Sequence, residues 1–520
     1  VNRTNSQTLY SDFVLQANKN LNTDLALSVT LGSSIQDQKG ATTNVRGALA
    51  VPNVFMESAI DWSNISRAVN QNTAVRRQIQ SVLGAVELGY KDKVFINLTD
   101  RNDWSSTLAY TPTAHRGFNY YSGGISAVLS RIFNLPDLVD YAKVRVSYAV
   151  VGNDIDPFRT RPLYTFNAGI STPPTSTPIR VAGYYLQPEK NKSLELGTQW
   201  SMLKNRLSLD VTVYKSNITN QFFQDITVAP GLGAGTAADV NGGNIQNTGV
   251  EAAITFNVVK THAVSWSTTI NYSYNQNKVI ELFNPSIVAT PSADQKYALS
   301  GGSGFLVQGG SFGDIYGRGF KRDAAGHIVV GSDNMPLSVN NIYLGNPNPK
   351  SIIGWSHSIN IRDVTIGFLL DGKFGGKVLS ITEALMDQMG VSKRTGDARD
   401  NGGKVTIPDA VDESGKSVTA TVDAKDYYKA IGGKTPIAEA YMYDATAIRL
   451  REFSISYTLK LNKLVKQIHF SAIGNNLFFL YNKAPFDPEQ VAAVNPGGVG
   501  VDVFGLPTYR SLGFSLKATL

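Results

Sequence analysis

The 520-residue sequence predicts an all-β fold: a large antiparallel transmembrane β-barrel with long loops on one side. Two positive observations carry this prediction. Apolar and polar residues alternate with period two in fifteen segments, and the links between those segments alternate short and long down the chain. An exclusion supports them, because no run of about 18 or more apolar residues is present to form a spanning helix. A closed barrel is then the membrane architecture left that satisfies its backbone polar groups in lipid.

In chain order, strands are predicted near 8–18, 24–33, 76–90, 93–101, 119–132, 141–152, 193–203, 206–218, 247–259, 262–275, 351–361, 363–375, 446–459, 467–476 and 508–520. Leu25, Leu27, Val29 and Leu31 alternate with Ala26, Ser28 and Thr30, and Leu207, Leu209, Val211 and Val213 alternate with Ser208, Asp210 and Thr212. The clearest strand sets Val264, Trp266, Thr268, Ile270, Tyr272 and Tyr274 against a wholly polar row from Ser265 to Asn275. The last places Leu512, Phe514, Leu516, Ala518 and Leu520 on one face. A soluble sandwich also alternates, since one face of each sheet packs on a core. The number and length of the strands favour the barrel.

The links sort by end. Short ones are Lys19 to Thr23, Lys91 and Asp92, Phe133 to Asp140, Lys204 and Asn205, Lys260 and Thr261, Arg362, and Lys460 to Lys466. Long ones are 34–75, 153–192, 219–246, 276–350, 376–445 and 477–507. Barrels of the outer membrane carry tight turns on the periplasmic side and long loops outside, whereas a sandwich has no reason to sort its links. The final strand then descends toward the periplasm, and so does the first. Barrels of this kind have an even strand number, so an upstream partner strand is expected before Val1, where the sequence starts without Met or a signal peptide. Trp200, Tyr214, Trp266, Tyr272, Tyr274, Trp355, Tyr457, Phe478, Phe479 and Tyr481 are expected in the aromatic girdles.

Composition narrows the chemistry. There are no cysteines, so disulfides, thiolate metal sites and a cysteine nucleophile are excluded. The five histidines, His115, His262, His327, His357 and His469, have no zinc-ligand spacing. The 48 basic and 41 acidic residues give a net charge of +7 but are scattered, with no block suited to nucleic acid. Gly231, Gly233 and Gly235 form a GxGxG string without the strand-turn-helix context of a dinucleotide site, and it reads as a loop. Asp323 to Asn334 has oxygen ligands without EF-hand spacing. No GxSxG elbow occurs, and pairs such as Glu87 with Asp92 or Asp487 with Glu489 read as solvated charge. No catalytic, cofactor-binding or metal-binding residue is predicted, and the chain reads as a non-enzyme.

Particular stretches add a resemblance. Leu186 to Gly197, LQPEKNKSLELG, is similar to a signature of TonB-dependent outer-membrane transporters, with Pro188, Glu189, Glu195 and Gly197 at its marked positions. Asn247 to Glu251, NTGVE, matches another through Gly249 and Glu251. Three further stretches resemble the SusC/RagA-type branch: Leu344 to Lys350 (LGNPNPK, with Gly345, Asn346 and Pro347), Ile448 to Leu459 (with Arg451 and Glu452), and Gly474 to Tyr481 (with Asn475 and Asn476) followed by Asp487, Pro488 and Glu489. Thr99 to Thr107 fits as well. The family's plug and TonB box have no counterpart here, and Leu520 stands where an aromatic residue is usual.

The resemblance implies that residues 1–520 are the C-terminal part of a 22-stranded barrel, with about 15 strands present, in the outer membrane of a Gram-negative bacterium. It further implies import of a bulky glycan or peptide, a SusD-like surface lipoprotein over the mouth, and TonB as the energy source. From the residues themselves a passive porin or barrel-anchored surface binder, and a secreted β-rich glycan-binding protein, stay open. The alternation predicts that Leu207, Leu209, Val211, Val213, Val264, Trp266, Ile270, Leu512, Phe514 and Leu516 face outer-membrane lipid.

Overall fold

The computed structural model describes residues 2–63, 69–161, 185–227, 237–282, 296–298, 304–461, 465–491 and 500–519. All fifteen predicted strands are present: β1 (Asn2–Asn20), β2 (Leu25–Arg46), β3 (Val69–Tyr90), β4 (Val94–Ser105), β5 (Phe118–Val128), β6 (Val139–Asn153), β7 (Glu189–Met202), β8 (Leu207–Thr227), β9 (Ala237–Lys260), β10 (Val264–Glu281), β11 (Ser351–Ile361), β12 (Val364–Phe374), β13 (Ala447–Lys460), β14 (Gln467–Asn482) and β15 (Ser511–Thr519). They form one 15-stranded sheet whose spatial order is the chain order, with β1 and β15 at its two edges. Neighbours are antiparallel throughout, because each is joined to the next by an up-and-down connection.

The short turns are tight. Lys91 and Asp92 both have φ of 51°, the left-handed pair that matches the twist of a two-residue hairpin, and Arg362 turns β11 into β12 with φ of 54°.

Register separates two faces. On one, Trp200 lies opposite Leu209, Leu196 opposite Val213, and Val213 opposite Val250, with Val250 opposite Tyr274. The same face continues through Val264 opposite Ile361, Val364 opposite Tyr457, and Phe470 opposite Leu516. All ten residues expected to meet lipid fall on it. His357 also sits there, yet is only 8% exposed: it accepts a 3.2 Å hydrogen bond from Trp266 Nε1, stacks on Phe368 and is flanked by Trp355. The other face is polar and is the lumenal wall.

Three expectations are corrected. The links 34–75 and 219–246 are partly strand, because β2 continues to Arg46, β3 begins at Val69, and β8 and β9 stay paired to Thr227 and Ala237. Strands of 21 to 24 residues exceed the 9–11 or so needed to cross. The excess rises above the membrane, where both faces meet water and no hydrophobic period marks it. Tyr214 and Phe479 leave the girdle: Tyr214 donates to Asn275 on the lumenal face at 3.1 Å, and Phe479 lies under the Arg449 guanidinium at 4.1 Å.

The long link between β12 and β13 is a folded unit. It holds helices α1 (Ile381–Gln388), α2 (Lys393–Asp400) and α3 (Ala424–Ile431), packed on a core of Leu379, Ala384, Ile431, Ile437, Ala438 and Tyr441. Ser380, Ser392 and Asp423 cap the helices by accepting from Glu383, Thr395 and Lys425 backbone N–H groups. Asp387, 1% exposed, is matched by Arg394 at 2.5 Å, Ser392 Oγ at 2.6 Å and the Tyr441 hydroxyl at 2.9 Å. A buried carboxylate satisfied on this scale fixes how α1 meets its neighbours.

Candidate functional site

The lumenal wall is built from strand residues whose spacing turns them inward together. Arg145 on β6 lies opposite Gly197, Gly197 opposite Thr212, Thr212 opposite Glu251, and Glu251 opposite Ser273. A β-carbon on Gly197 would overlap the Arg145 side chain, which crosses β7 at that position. Arg145 thereby reaches Asp210 at 2.8 Å and Thr212 Oγ1 at 2.6 Å on β8. Gly249 plays the same part for Tyr214, whose ring crosses β9 to reach Asn275 on β10. Glycine is needed at both places for close approach rather than for backbone freedom. Arg145, Asp210 and Thr212 line one polar hollow in the wall with Glu251, Asn271 and Asp371.

Above it, at the end carrying the long links, a second hollow of about 780 Å³ is lined by Asn247, Asn275, Asn277, Tyr343, Lys350 and Lys377 among others. Three asparagines form a ladder, with Asn247 Oδ1 accepting from Asn277 at 2.9 Å and Asn275 at 3.2 Å. Asn277 Oδ1 in turn accepts the backbone N–H of Phe312 at 2.7 Å and tethers the overlying segment.

The LGNPNPK stretch forms one rim. Asn346 donates to the buried Asp314 at 2.8 Å and its backbone carbonyl accepts from Lys377 N at 2.8 Å. Gly345, at φ of 141°, lies beneath the Lys377 side chain where a β-carbon would come within 2.6 Å. Pro347 packs against Gly500 so closely that no β-carbon fits there. On the opposite rim Asp444 is held below the usual carboxylate range by Thr446, helped by Lys377 and Lys483 at 3.8 and 3.7 Å.

The third arrangement is a charge clamp joining the link after β14 to β12 and β13. Arg449, almost fully buried, bonds Asp487 at 2.7 Å and approaches Glu489 at 3.4 Å. Arg451 bridges Glu489 at 2.9 Å, Asp371 at 2.5 Å and Asn476 Oδ1 at 3.0 Å, and Lys373 reaches Glu489 at 2.7 Å. Burial alone raises the Glu489 carboxyl, but the hydrogen bonds from Arg451 and Lys373 outweigh it and bring it down to about 2. Bulges in β13 against both its neighbours reverse the parity of Phe453, Ile455 and Tyr457, which face lipid, so that Arg449 and Arg451 turn inward.

The motif residues therefore divide. Gly197, Gly249 and Glu251 share the wall; Gly345, Asn346 and Pro347 form the rim; Arg451, Asn476, Asp487 and Glu489 meet in the clamp. Glu189 accepts the Phe222 N–H at 2.7 Å beside the buried Pro188, and Glu195 accepts from Ser193 at 3.2 Å. Glu452 lies opposite Asn475, which donates to Ser511, and neither joins the clamp through a hydrogen bond or ion pair among the described residues. Pro488 is buried in the turn between the two clamp carboxylates.

The pair Asp487 and Glu489, read from sequence as solvated charge, is instead in ion pairs. Asp210 is legible in the sequence only as a polar-face residue of its strand, and Arg145, Asp371, Lys373 and Arg449 carry no motif, although each stands on the inward parity of an alternating strand or at a bulge. Asp323 is used by its own turn, accepting from Ala325 N, His327 N and His327 Nδ1, and no group of three metal-type ligands occurs among the described residues. Gly231, Gly233 and Gly235 lie outside the described residues.

A sheet with one apolar and one polar face, tight turns at one end and folded links at the other defines an outer-membrane β-barrel wall. The chain belongs to the TonB dependent receptor-like, beta-barrel family, whose profile matches residues 1–372. This is a family of outer-membrane receptors and transporters rather than enzymes. Two relatives from Formosa agariphila are TonB-dependent receptor P26, 24% identical over 79% of this chain and 42% of its own length, and TonB-dependent receptor P3, 22% identical over 91% and 49%. Among solved structures, the RagAB peptide transporter superposes with a TM-score of 0.74 at 14% identity, over 99% of this chain and 56% of that one. At that identity the likeness is one of fold. The chain spans about half the length of the curated relatives it matches.

Proposed function

We propose that this barrel wall belongs to an energised importer of a bulky polar nutrient, a glycan or a peptide, working with TonB and with a SusD-like surface lipoprotein over the mouth. The observation that supports it is the hollow of about 780 Å³ between the strand ends and the overlying links, where amide side chains, Tyr343 and two lysines converge. Amides pair with sugar hydroxyls or peptide groups alike, and tyrosine offers a stacking face. The neighbouring RagAB structure is described as a peptide transporter, which favours giving peptides equal weight with glycans. In this reading residues 1–520 form the C-terminal barrel wall, a plug closes the wide lumen, and the links 276–350 and 376–445 supply the lipoprotein contact.

The test uses the full-length protein. Uptake of labelled oligosaccharide and peptide mixtures is measured in cells carrying the wild type, the N247A/N275A/N277A variant, or a variant with residues 381–431 replaced by a short linker. Loss of uptake in the asparagine variant, and loss of lipoprotein co-purification in the linker variant, are expected. Unchanged uptake and co-purification in both would overturn the reading, and uptake that persists without TonB would favour a passive pore.

A further inference from the structure

We infer that the outer face of β7, β8 and β10, just above the apolar band, docks the phosphate groups of an anionic lipid headgroup in the outer leaflet. Three lysines, Lys190, Lys192 and Lys215, cluster there, and a fourth, Lys278, stands two strands beyond on the same face. Gly197 and Thr212 set the lumenal parity of β7 and β8, so Lys190 and Lys192 on β7 and Lys215 on β8 project to the opposite, lipid side. Lys215 pairs with Leu194 on β7 and with Thr248 on β9, while Lys278 on β10 pairs with Gln246, itself opposite Asn217 and hence in the row of Lys192. Lys192 and Lys215 are diagonal neighbours on adjacent strands, about 7–8 Å apart, and Lys278, two strand spacings from Lys215, stands about 10 Å or more away, so the set spans a headgroup that carries two phosphates.

Their height fits a membrane boundary. An apolar band about 25 Å tall takes roughly ten residues of a strand tilted by about 40°. Starting from the periplasmic ends at Trp200 and Leu207, that length reaches the level of Lys192 and Lys215. Leu194, Leu196 and Val213 lie directly below, and all three are exposed on the lipid side. Lysine stems can lie along such apolar surface with the ammonium at the headgroup level.

The charge there is uncompensated by the protein. Lys192, Lys215 and Lys278 are exposed, and none of the four lysines has an ion pair among the described residues. Glu189, Glu195, Asp210 and Glu251 on these strands point to the lumenal face, leaving Glu281, opposite Asn244 one row higher, as the carboxylate described on this side. At a similar level on β2 and β3 the arrangement differs, since Arg76 is matched by Asp37 at 2.7 Å. A soluble ligand entering the lumen cannot reach the lysine face, and a lipid of the surrounding leaflet already lies against it.

Detergent-solubilised full-length protein is titrated with a lipid A carrying two phosphates and with its phosphate-free form, and binding is read by native mass spectrometry. The wild type is expected to prefer the phosphorylated lipid. K192Q/K215Q/K278Q should lose more than tenfold in affinity for it, taking about fivefold per lysine, while the triple Lys→Arg variant and the periplasmic control K204Q/K260Q keep it. If the triple Gln variant fails to fold, judged by loss of heat-modifiable migration, the three single variants are read instead, each expected to lose about fivefold. Equal binding of the two lipids by the wild type, unchanged binding in the Gln variants, or displacement by inorganic phosphate beyond that by chloride at matched ionic strength would each overturn the inference.

Discussion

The same strands behave differently below and above one level. On β8, Leu207, Leu209, Val211 and Val213 alternate with polar residues, but from Lys215 upward the strand runs Lys215, Ser216, Asn217, Ile218, Thr219 and Asn220 with no such order. Pairing to β9 nevertheless persists to Thr227 opposite Ala237, with only local irregularity. The lower half is written by its surroundings, because one face meets hydrocarbon and the other water. The upper half is held by backbone hydrogen bonds and by the links that fold over it. Alternation therefore reports the membrane, not the strand.

That contrast is broken most severely in the upper half, where stability depends on particular charges. Arg449→Ala leaves the Asp487 carboxylate buried without its partner, a loss of about 3–5 kcal/mol for the clamp. Faster proteolysis of the 483–510 link and a lowered folding midpoint in a urea titration are expected, and an unchanged cleavage rate would show that Asp487 finds water instead.

In the lower half the effect follows parity. Val211→Arg or Phe514→Arg places a charge on the lipid face and should cost about 2–4 kcal/mol near the bilayer midplane, whereas Ser208→Arg on the lumenal face should fold as the wild type does. Equal effects at the two kinds of site in a lipid-vesicle folding titration would refute the assignment of faces. A smaller loss, about 1–3 kcal/mol, is expected for Gly249→Val, since the new side chain occupies the path of Tyr214 and has backbone on its other side. Tyr214→Ala in the same background should recover part of it.

Why so much of the wall was readable, and so little of the mouth, follows from the same division. Fifteen strands were legible because hydrocarbon imposes a period of two, and the turns because they must be short. Arg451 and Glu489 were legible as motif residues, but their meeting depends on two bulges and on a link that folds back against the inward face of β12 and β13, neither of which has a periodic signature. Helices α1 to α3 had one sign that could have been read: Ser380, Ser392 and Asp423 each precede a run of helix-compatible residues as a cap does. Tyr214 was misread because aromatic type was weighed above parity; its even position on β8, shared with Asp210 and Thr212, already turned it inward.

The clamp also titrates. Glu489 ionises at about 2 in the folded chain against 4.5 for an unperturbed glutamate, so its contribution to stability is present above the higher value and is lost as pH falls through the lower one. Acid release of the 483–510 link is expected between those two values. In Glu489→Gln the carboxylate is absent, so the same link should be looser at neutral pH and lose its response in that window, measured by limited proteolysis with an acid-active protease.

The smallest effect is expected where the upper strands are simply paired strands in water. Thr73 on β3 lies opposite Thr42 on β2, which lies opposite Thr4 on β1 and shares a 3.2 Å hydroxyl contact with it. Thr73→Val keeps the branched shape that suits a strand and removes a hydroxyl already exposed to solvent, so its folding free energy should move by no more than about 0.5 kcal/mol in either direction. Thr43 on β2, next to Thr42 and on the lipid-side parity of Leu25, Leu27, Val29 and Leu31, supplies the contrast: if this region lay within hydrocarbon, Thr43→Val would instead stabilise the barrel. A clear gain for Thr43→Val in the folding titration would therefore raise the membrane boundary above that residue, while a null result leaves the upper strands in water, where their sequence has no face to choose.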